Sequence, residues 1–195
     1  MIACTSLLLV GATLVFTRLP CPTRGCALTA EKRALALLKN RDTQPLTTDF
    51  DSRITLDALL APGDDHARWP DSRASVIEGY VIDVQVGSIE AANCFSLTRR
   101  DVHIHVATRS DSKLRESVVV EVTPRSADAA RARGEDWSLA VLKRSLVGRR
   151  CRFEGWLMFD REHAAQSENI APGHPVNWRA TAWELHPVTR IEVID

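Results

Sequence analysis

Five stretches of alternating or β-branched sequence, with one helical stretch between the third and the fourth, constrain this chain more than any other feature. The first, VIEGYVIDVQV from Val76, is rich in β-branched residues and stops at Gly87. In the second, DVHIHVATR, alternation sets Asp101, His103 and His105 on one face and Val102, Ile104 and Val106 on the other. The third, SVVVEVT, is too dense in valine for a helix, and Pro124 closes it because proline cannot donate to a ladder. Helix formers follow, and Leu139, Leu142 and Leu146 fall at i, i+3 and i+7, which predicts the one strong helix of the domain, ended by Gly148. The fourth strand, CRFEGWLMFD, sets Phe153, Leu157 and Phe159 against Arg152, Glu154 and Asp160. A proline- and glycine-bearing loop leads to the fifth, ATAWELHPVTRIEVI, where Trp183 and Leu185 alternate with Glu184 and His186. Phe153 and Trp183 are expected in the core.

The resulting order, β-β-β-α-β-β, is the connectivity of a five-stranded OB-type barrel, so the predicted fold class is mainly β with an N-terminal helical lead-in. Three segments are expected: an apolar leader or N-terminal anchor over residues 1–28, a helix and linker wrapping the barrel over 29–73, and the barrel itself over 74–195. In the second segment Thr29 caps EKRALALLKNR, the PGDD sequence ending at Asp65 marks a turn, and a short apolar element surrounds Ile54 to Leu60. Residues 2–16, IACTSLLLVGATLVF, carry no charge and precede Arg18 and Arg24. That pattern predicts export to the periplasm or cell envelope, with N-terminal membrane association as the variant in which the leader stays attached.

A chain of 195 residues, 45% apolar, suffices for one domain with a real core. Lys plus Arg and Asp plus Glu each total 25, so no global basic field is present to hold nucleic acid. The cysteines Cys4, Cys21, Cys26, Cys94 and Cys151 contain no CxxC pair, which excludes zinc ribbons and fingers. In an oxidising compartment Cys21 with Cys26 is the nearest pair, and Cys94 with Cys151 is a second possibility.

The segments RDVHIHV from Arg100, VVVEVTPR from Val118, GWLMFDREH from Gly155 and NWRATAWELHPV from Asn177, with the pair Asn93 and Cys94, resemble an uncharacterised family of bacterial OB-like domain proteins. The resemblance spans the strands and the long loop, and it implies a fold but brings no activity with it.

In OB barrels ligands lie across the second and third strands, flanked by the loops joining strands one to two and four to five. Here the first of these loops offers Glu90, Asn93, Arg99 and Arg100, and the second offers Asp160, Glu162, His163, Glu168, Asn169, Asn177, Trp178 and Arg179. With strand three beside strand five, His103, Glu121, Glu184 and His186 share one exposed face. Trp178 beside Arg179 can stack on a base or sugar ring.

The leading expectation is a non-catalytic binding module of the cell envelope. It holds a polar ligand or partner, whether oligosaccharide, nucleic acid or protein, on the outer barrel face and the 160–179 loop. Its ligand-binding residues are then Glu90, Asn93, His103, Glu121, Asp160, His163, Trp178, Arg179, Glu184 and His186, with no cofactor. The alternative is a metal-dependent hydrolase or nuclease in which His103, His163 and His186 ligate zinc or manganese, since imidazole and carboxylate donors suit those ions. No GxSxG, no Cys–His pair and no phosphate-cradling glycine loop argues for nucleophilic catalysis, so the reading leans away from an enzyme. The plainest reading of the same residues is a set of solvated side chains on a half-buried sheet.

Overall fold

A computed structural model describes residues 20–195, so residues 1–19 of the expected leader lie outside the described residues, while 20–28 carry Cys21 onto the β1–β2 loop. Alternation dictates the strands, and they close on one another: β1 (Ala74–Val86), β2 (Val102–Ala107), β3 (Val118–Val122), β4 (Arg150–Phe159) and β5 (Trp183–Val193) form a closed barrel in the order β1-β2-β3-β5-β4. All neighbours are antiparallel except β3 and β5, which run parallel with Val119 opposite Glu184 and Val120 opposite Leu185. The long β1 serves two partners. Its first half pairs with β4 and its second half with β2, and the register shifts between Val81 and Asp83 where it turns the corner. Gly79 sits at that corner because a Cβ there would lie 2.7 Å from the carbonyl oxygen of Ala107.

The apolar alternates point into the barrel. Ile77, Val81 and Val84 of β1 meet Ile104, Val120, Phe153, Leu157, Leu185 and Val188 there, each at most 1% exposed. Phe153 and Trp183 are both buried, as expected. The helical stretch between β3 and β4 is two short helices rather than one, α3 (Pro124–Ala132) and α4 (Leu139–Leu146), separated by Gly134 in a left-handed conformation. Pro124 does close β3, and it also opens α3 at its first turn, where its missing N–H costs nothing. Thr123 caps it in reciprocal hydrogen bonds with Ser126. Leu142 and Leu146 of α4 join the core, and the helix packs on β1.

The lead-in is more than a wrapping linker. Its helix α1 (Ala30–Lys39), capped by Thr29, lies against the β1–β2 loop and β5, and a second helix α2 (Leu56–Leu60) sends Leu56 and Leu59 into the barrel core with Ile54. Asp65 of the PGDD turn is fully buried. Its carboxylate accepts from the Thr181 hydroxyl, the Ala182 amide and the Asn169 side chain, while its carbonyl accepts from the Trp183 indole. One turn of the lead-in thus fixes both the start of β5 and the loop before it.

The disulfide corrects both expected pairings. Cys21 bonds Cys94, Cα–Cα 5.8 Å, leaving Cys26 exposed and Cys151 buried as free thiols. Sequence proximity favoured Cys26, but the chain carries Cys21 onto the β1–β2 loop, where its carbonyl accepts from Arg125 and the neighbouring Gly25 and Cys26 meet Ala91. Cys151 sits inside the barrel wall, opposite Gly79 and Val193 on the flanking strands. Among the described residues no helix is long and apolar enough to cross a membrane.

Phe153→Ala should cost about 3–5 kcal/mol in a chemical denaturation experiment, because its cavity opens in the middle of a closed barrel that cannot collapse onto it. A cost below about 1 kcal/mol would mean the barrel interior is not packed as described.

Candidate functional site

The polar alternates of β2, β3 and β5 form a second face, on the outside of the barrel wall. Register places His103 opposite Glu121, and the parallel β3–β5 pairing brings Glu184 and His186 alongside them. The expected juxtaposition is therefore present, but the face is not exposed. Glu121, Glu184 and His186 are 4%, 1% and 0% exposed, because α1, the β1–β2 loop and the 160–179 loop lie over them. Strand alternation tells which side chains share a face. It does not tell what covers that face.

Arg179 is the deepest charge. Wholly buried, it donates from Nη1 to Glu184 Oε2 at 3.0 Å and from Nη2 to Asp160 Oδ2 at 2.8 Å. Asp160 Oδ2 also meets His163 Nδ1 at 2.8 Å. Burial alone would raise the Asp160 carboxyl, but the His163 hydrogen bond and the Arg179 guanidinium hold it far below the usual carboxylate range. The same hydrogen bond raises His163. The other Glu184 oxygen, Oε1, lies 3.0 Å from His186 Nδ1, which is also 3.1 Å from Glu121 Oε2. Glu121 Oε1 in turn lies 3.1 Å from His103 Nε2, without the alignment of a hydrogen bond.

The cover completes the cluster. Lys39, at the last turn of α1 and 3% exposed, reaches Glu90 at 2.5 Å and Glu162 at 3.5 Å. Burial works to lower the Lys39 ammonium, but Glu90, Glu121, Asp160 and Glu184 together hold it above its ordinary value. Burial likewise works to raise Glu90, and Lys39 outweighs it and keeps Glu90 ionised. Asn93 donates to Asp101 Oδ1 at 3.0 Å. Trp178 stacks parallel to the His103 ring at 6.0 Å, sits under the Arg179 guanidinium at 4.9 Å, and is tied down by its indole N–H to Gln166. Trp178 is thus spent on protein groups.

Every expected binding residue, from Glu90 to His186, therefore belongs to one connected cluster. Arg99 instead pairs with Asp128 on the surface, Asn177 and Glu168 brace the long loop internally, and Asn169 ties it to Ala61 and Asp65 of the lead-in. Lys39 and Asp101 are the members that sequence reasoning missed. Asp101 had a signal, since alternation set it on the His103 face. Lys39 had none, because a lysine in the last turn of an amphipathic helix reads as a solvated charge.

The charges do not balance. Asp101, Glu121, Asp160 and Glu184 are all buried, with Glu90 nearly so, against the two buried fixed cations Lys39 and Arg179. Burial together with neighbouring carboxylates pushes Glu121 well above the usual carboxylate range, and burial with Glu90 beside it raises Asp101. Orphaned atoms accompany the imbalance: Glu121 Oε2, His186 Nε2 and Arg179 Nε are buried without hydrogen-bond partners. Among the described residues, Asp101, Glu121 and His186 form the group whose ligating atoms lie within 4.8 Å of one another. Of the three histidines expected as ligands, His186 belongs to it; His163 is hydrogen-bonded to Asp160, and His103 lies outside the group, 3.1 Å from Glu121 with its Nε2 also unpartnered. A separate open groove of about 640 Å³ runs along the β1–β4 side, lined by Asp51, Glu78, Tyr80, Arg150 and Arg152. Its arginines pair with Glu78.

Comparison with family models and with curated proteins gives no match.

His105, fully buried between Gln85 and Ser117, is held neutral by burial, with its pKa lowered to about 4. Between that value and the unfolded value of about 6.5 the unfolded chain binds the proton and the folded chain does not. Folding stability should therefore fall as pH drops from about 6.5 to about 4, and His105→Gln should flatten that slope in urea titrations at stepped pH. An unchanged slope would show that His105 accepts its proton inside the fold.

Proposed function

We propose that this chain is an OB-type binding module of the cell envelope, and that the covered face of β2, β3 and β5 holds a small ligand of positive charge. The barrel order β1-β2-β3-β5-β4, the parallel β3–β5 pair and the helical segment between β3 and β4 support the OB assignment. The uncharged stretch over residues 2–16 and the Cys21–Cys94 disulfide support an oxidising, exported setting.

The single observation that carries the binding reading is the excess of buried carboxylates over fixed cations. Buried like charges cost stability and give nothing back to the fold. Groups of that kind are retained where a ligand uses them. The sign of the excess selects a cation. It disfavours a nucleic-acid strand, which would bring more negative charge, and the cover formed by α1 and the 160–179 loop leaves an extended polysaccharide no path along the face. The same enclosure disfavours a hydrolase acting on a polymer.

The reading separates two kinds of residue in one network. Asp160→Asn breaks half of the Arg179 clamp and should cost about 3–5 kcal/mol, because it leaves a buried guanidinium with one carboxylate instead of two. Glu121→Gln keeps the shape and mimics the neutral carboxyl that burial favours in metal-free protein, so in chelator-treated protein it should unfold at the same or a higher temperature. A loss of about 2 kcal/mol or more for Glu121→Gln would make the whole face a structural clamp and end the binding reading.

A further inference from the structure

We propose that Asp101, Glu121 and His186 bind one divalent transition-metal ion, of the zinc or manganese class, on the outer barrel wall beneath α1. This rests on the binding reading above and names its ligand. The three residues are 2%, 4% and 0% exposed, and their donor atoms already lie within 4.8 Å of one another.

Carboxylates alone would not carry the inference. The independent observation is His186. Its Nδ1 lies 3.0 Å from Glu184 Oε1, and Glu184 is in turn fixed by Arg179. A neutral ring that donates to Glu184 from Nδ1 keeps a lone pair on Nε2, which is buried and has no partner. An imidazole whose one nitrogen is anchored to a carboxylate while the other is free is the arrangement that orients a metal-ligating histidine. Glu121 Oε2 is also buried without a hydrogen bond, and Asp101 is oriented by the Asn93 amide at 3.0 Å. Each ligand therefore has either an orphaned donor atom or a partner that aims it.

The donor set selects the ion. Two carboxylates and one imidazole supply few oxygens for calcium, which takes six to eight, and a nitrogen donor suits zinc or manganese better than magnesium. A dication also answers the charge imbalance, since it offsets Asp101 and Glu121 at once. The charge of Lys39 acts on both Asp101 and Glu121, but Glu90 at 2.5 Å and Glu162 at 3.5 Å draw it aside.

The test uses the full chain without an affinity tag, stripped with chelator and then titrated with zinc, manganese or cobalt chloride. Wild-type protein should take up one equivalent of zinc or manganese, unfold at a temperature that climbs with free metal, and give visible absorption bands with cobalt. Asp101→Asn and Glu121→Gln preserve the shape and should each abolish the cobalt bands and the thermal shift. Glu184→Gln, which touches the ion only through His186, should weaken binding by about 10- to 100-fold. Absence of stoichiometric metal in wild type, or equal uptake by wild type and both isosteric variants, overturns the site. The two readings fail separately. If Glu121→Gln is as stable as wild type in chelator but no metal binds, the ligand class falls and the binding face stands. If Glu121→Gln is destabilised in chelator, the binding face falls as well.

Discussion

Arg179 between Asp160 and Glu184 is the contact on which the rest of this structure depends. A guanidinium with no exposed surface is affordable only when carboxylates take up its donors, and two of them do so at 2.8 and 3.0 Å. Because Asp160 follows the last residue of β4 and Glu184 is the second residue of β5, the clamp fixes the spacing of those strands and the path of the loop between them. Glu184 then holds His186, Asp160 holds His163, and the Arg179 guanidinium lies over Trp178. Removing the charge from this position would leave two buried carboxylates facing each other with nothing between them.

Around that clamp the molecule has two interiors. The inside of the barrel is apolar and closely filled, and its energetics are those of burial. The second interior lies between the barrel wall and the lead-in, and it is built of charges whose number does not cancel. The first explains why the chain folds. The second has no such explanation, since a wall of valine and threonine under an apolar helix would seal the same space at lower cost. The proposed function is therefore placed in the second interior and in the elements that roof it.

Most of the barrel is legible in the sequence because a closed sheet imposes a period of two on every strand, and the chain shows it in DVHIHVA and CRFEGWLMF alike. The helical stretch is legible as helical but not as two helices, since Gly134 breaks a run that composition alone reads as continuous. The members of the polar face are legible for the same reason as the strands: His103, Glu121, Glu184 and His186 fall on one side once strand three is set beside strand five. Their burial is not legible. It depends on α1 and on residues 160–179 folding back across the wall, and those contacts join positions far apart in sequence with no periodic signal. Asp65 shows the limit most clearly. In the sequence it belongs to a turn motif, and in the fold its carboxylate organises Thr181, Ala182 and Asn169 more than 100 residues later. Cysteine pairing fails to be legible for a related reason, because proximity in sequence says little once the lead-in is laid over the β1–β2 loop.

The reach of Arg41 carries a consequence for how the chain is made. This residue follows α1 directly, yet it donates to the backbone carbonyls of Leu157 and His186, partners 116 and 145 positions further on. A segment that emerges early in synthesis thus has its hydrogen-bonding partners in the last strands to appear. Until β4 and β5 exist, the roof of the polar interior can rest only on the β1–β2 loop, and the face it covers is incomplete. Such a chain can pair β1 with β2 and β2 with β3 while it grows, but the barrel closes only when β5 joins β3 and β4. The Arg41 bonds to the barrel are therefore out of reach for the whole interval between release of residue 41 and release of residue 186.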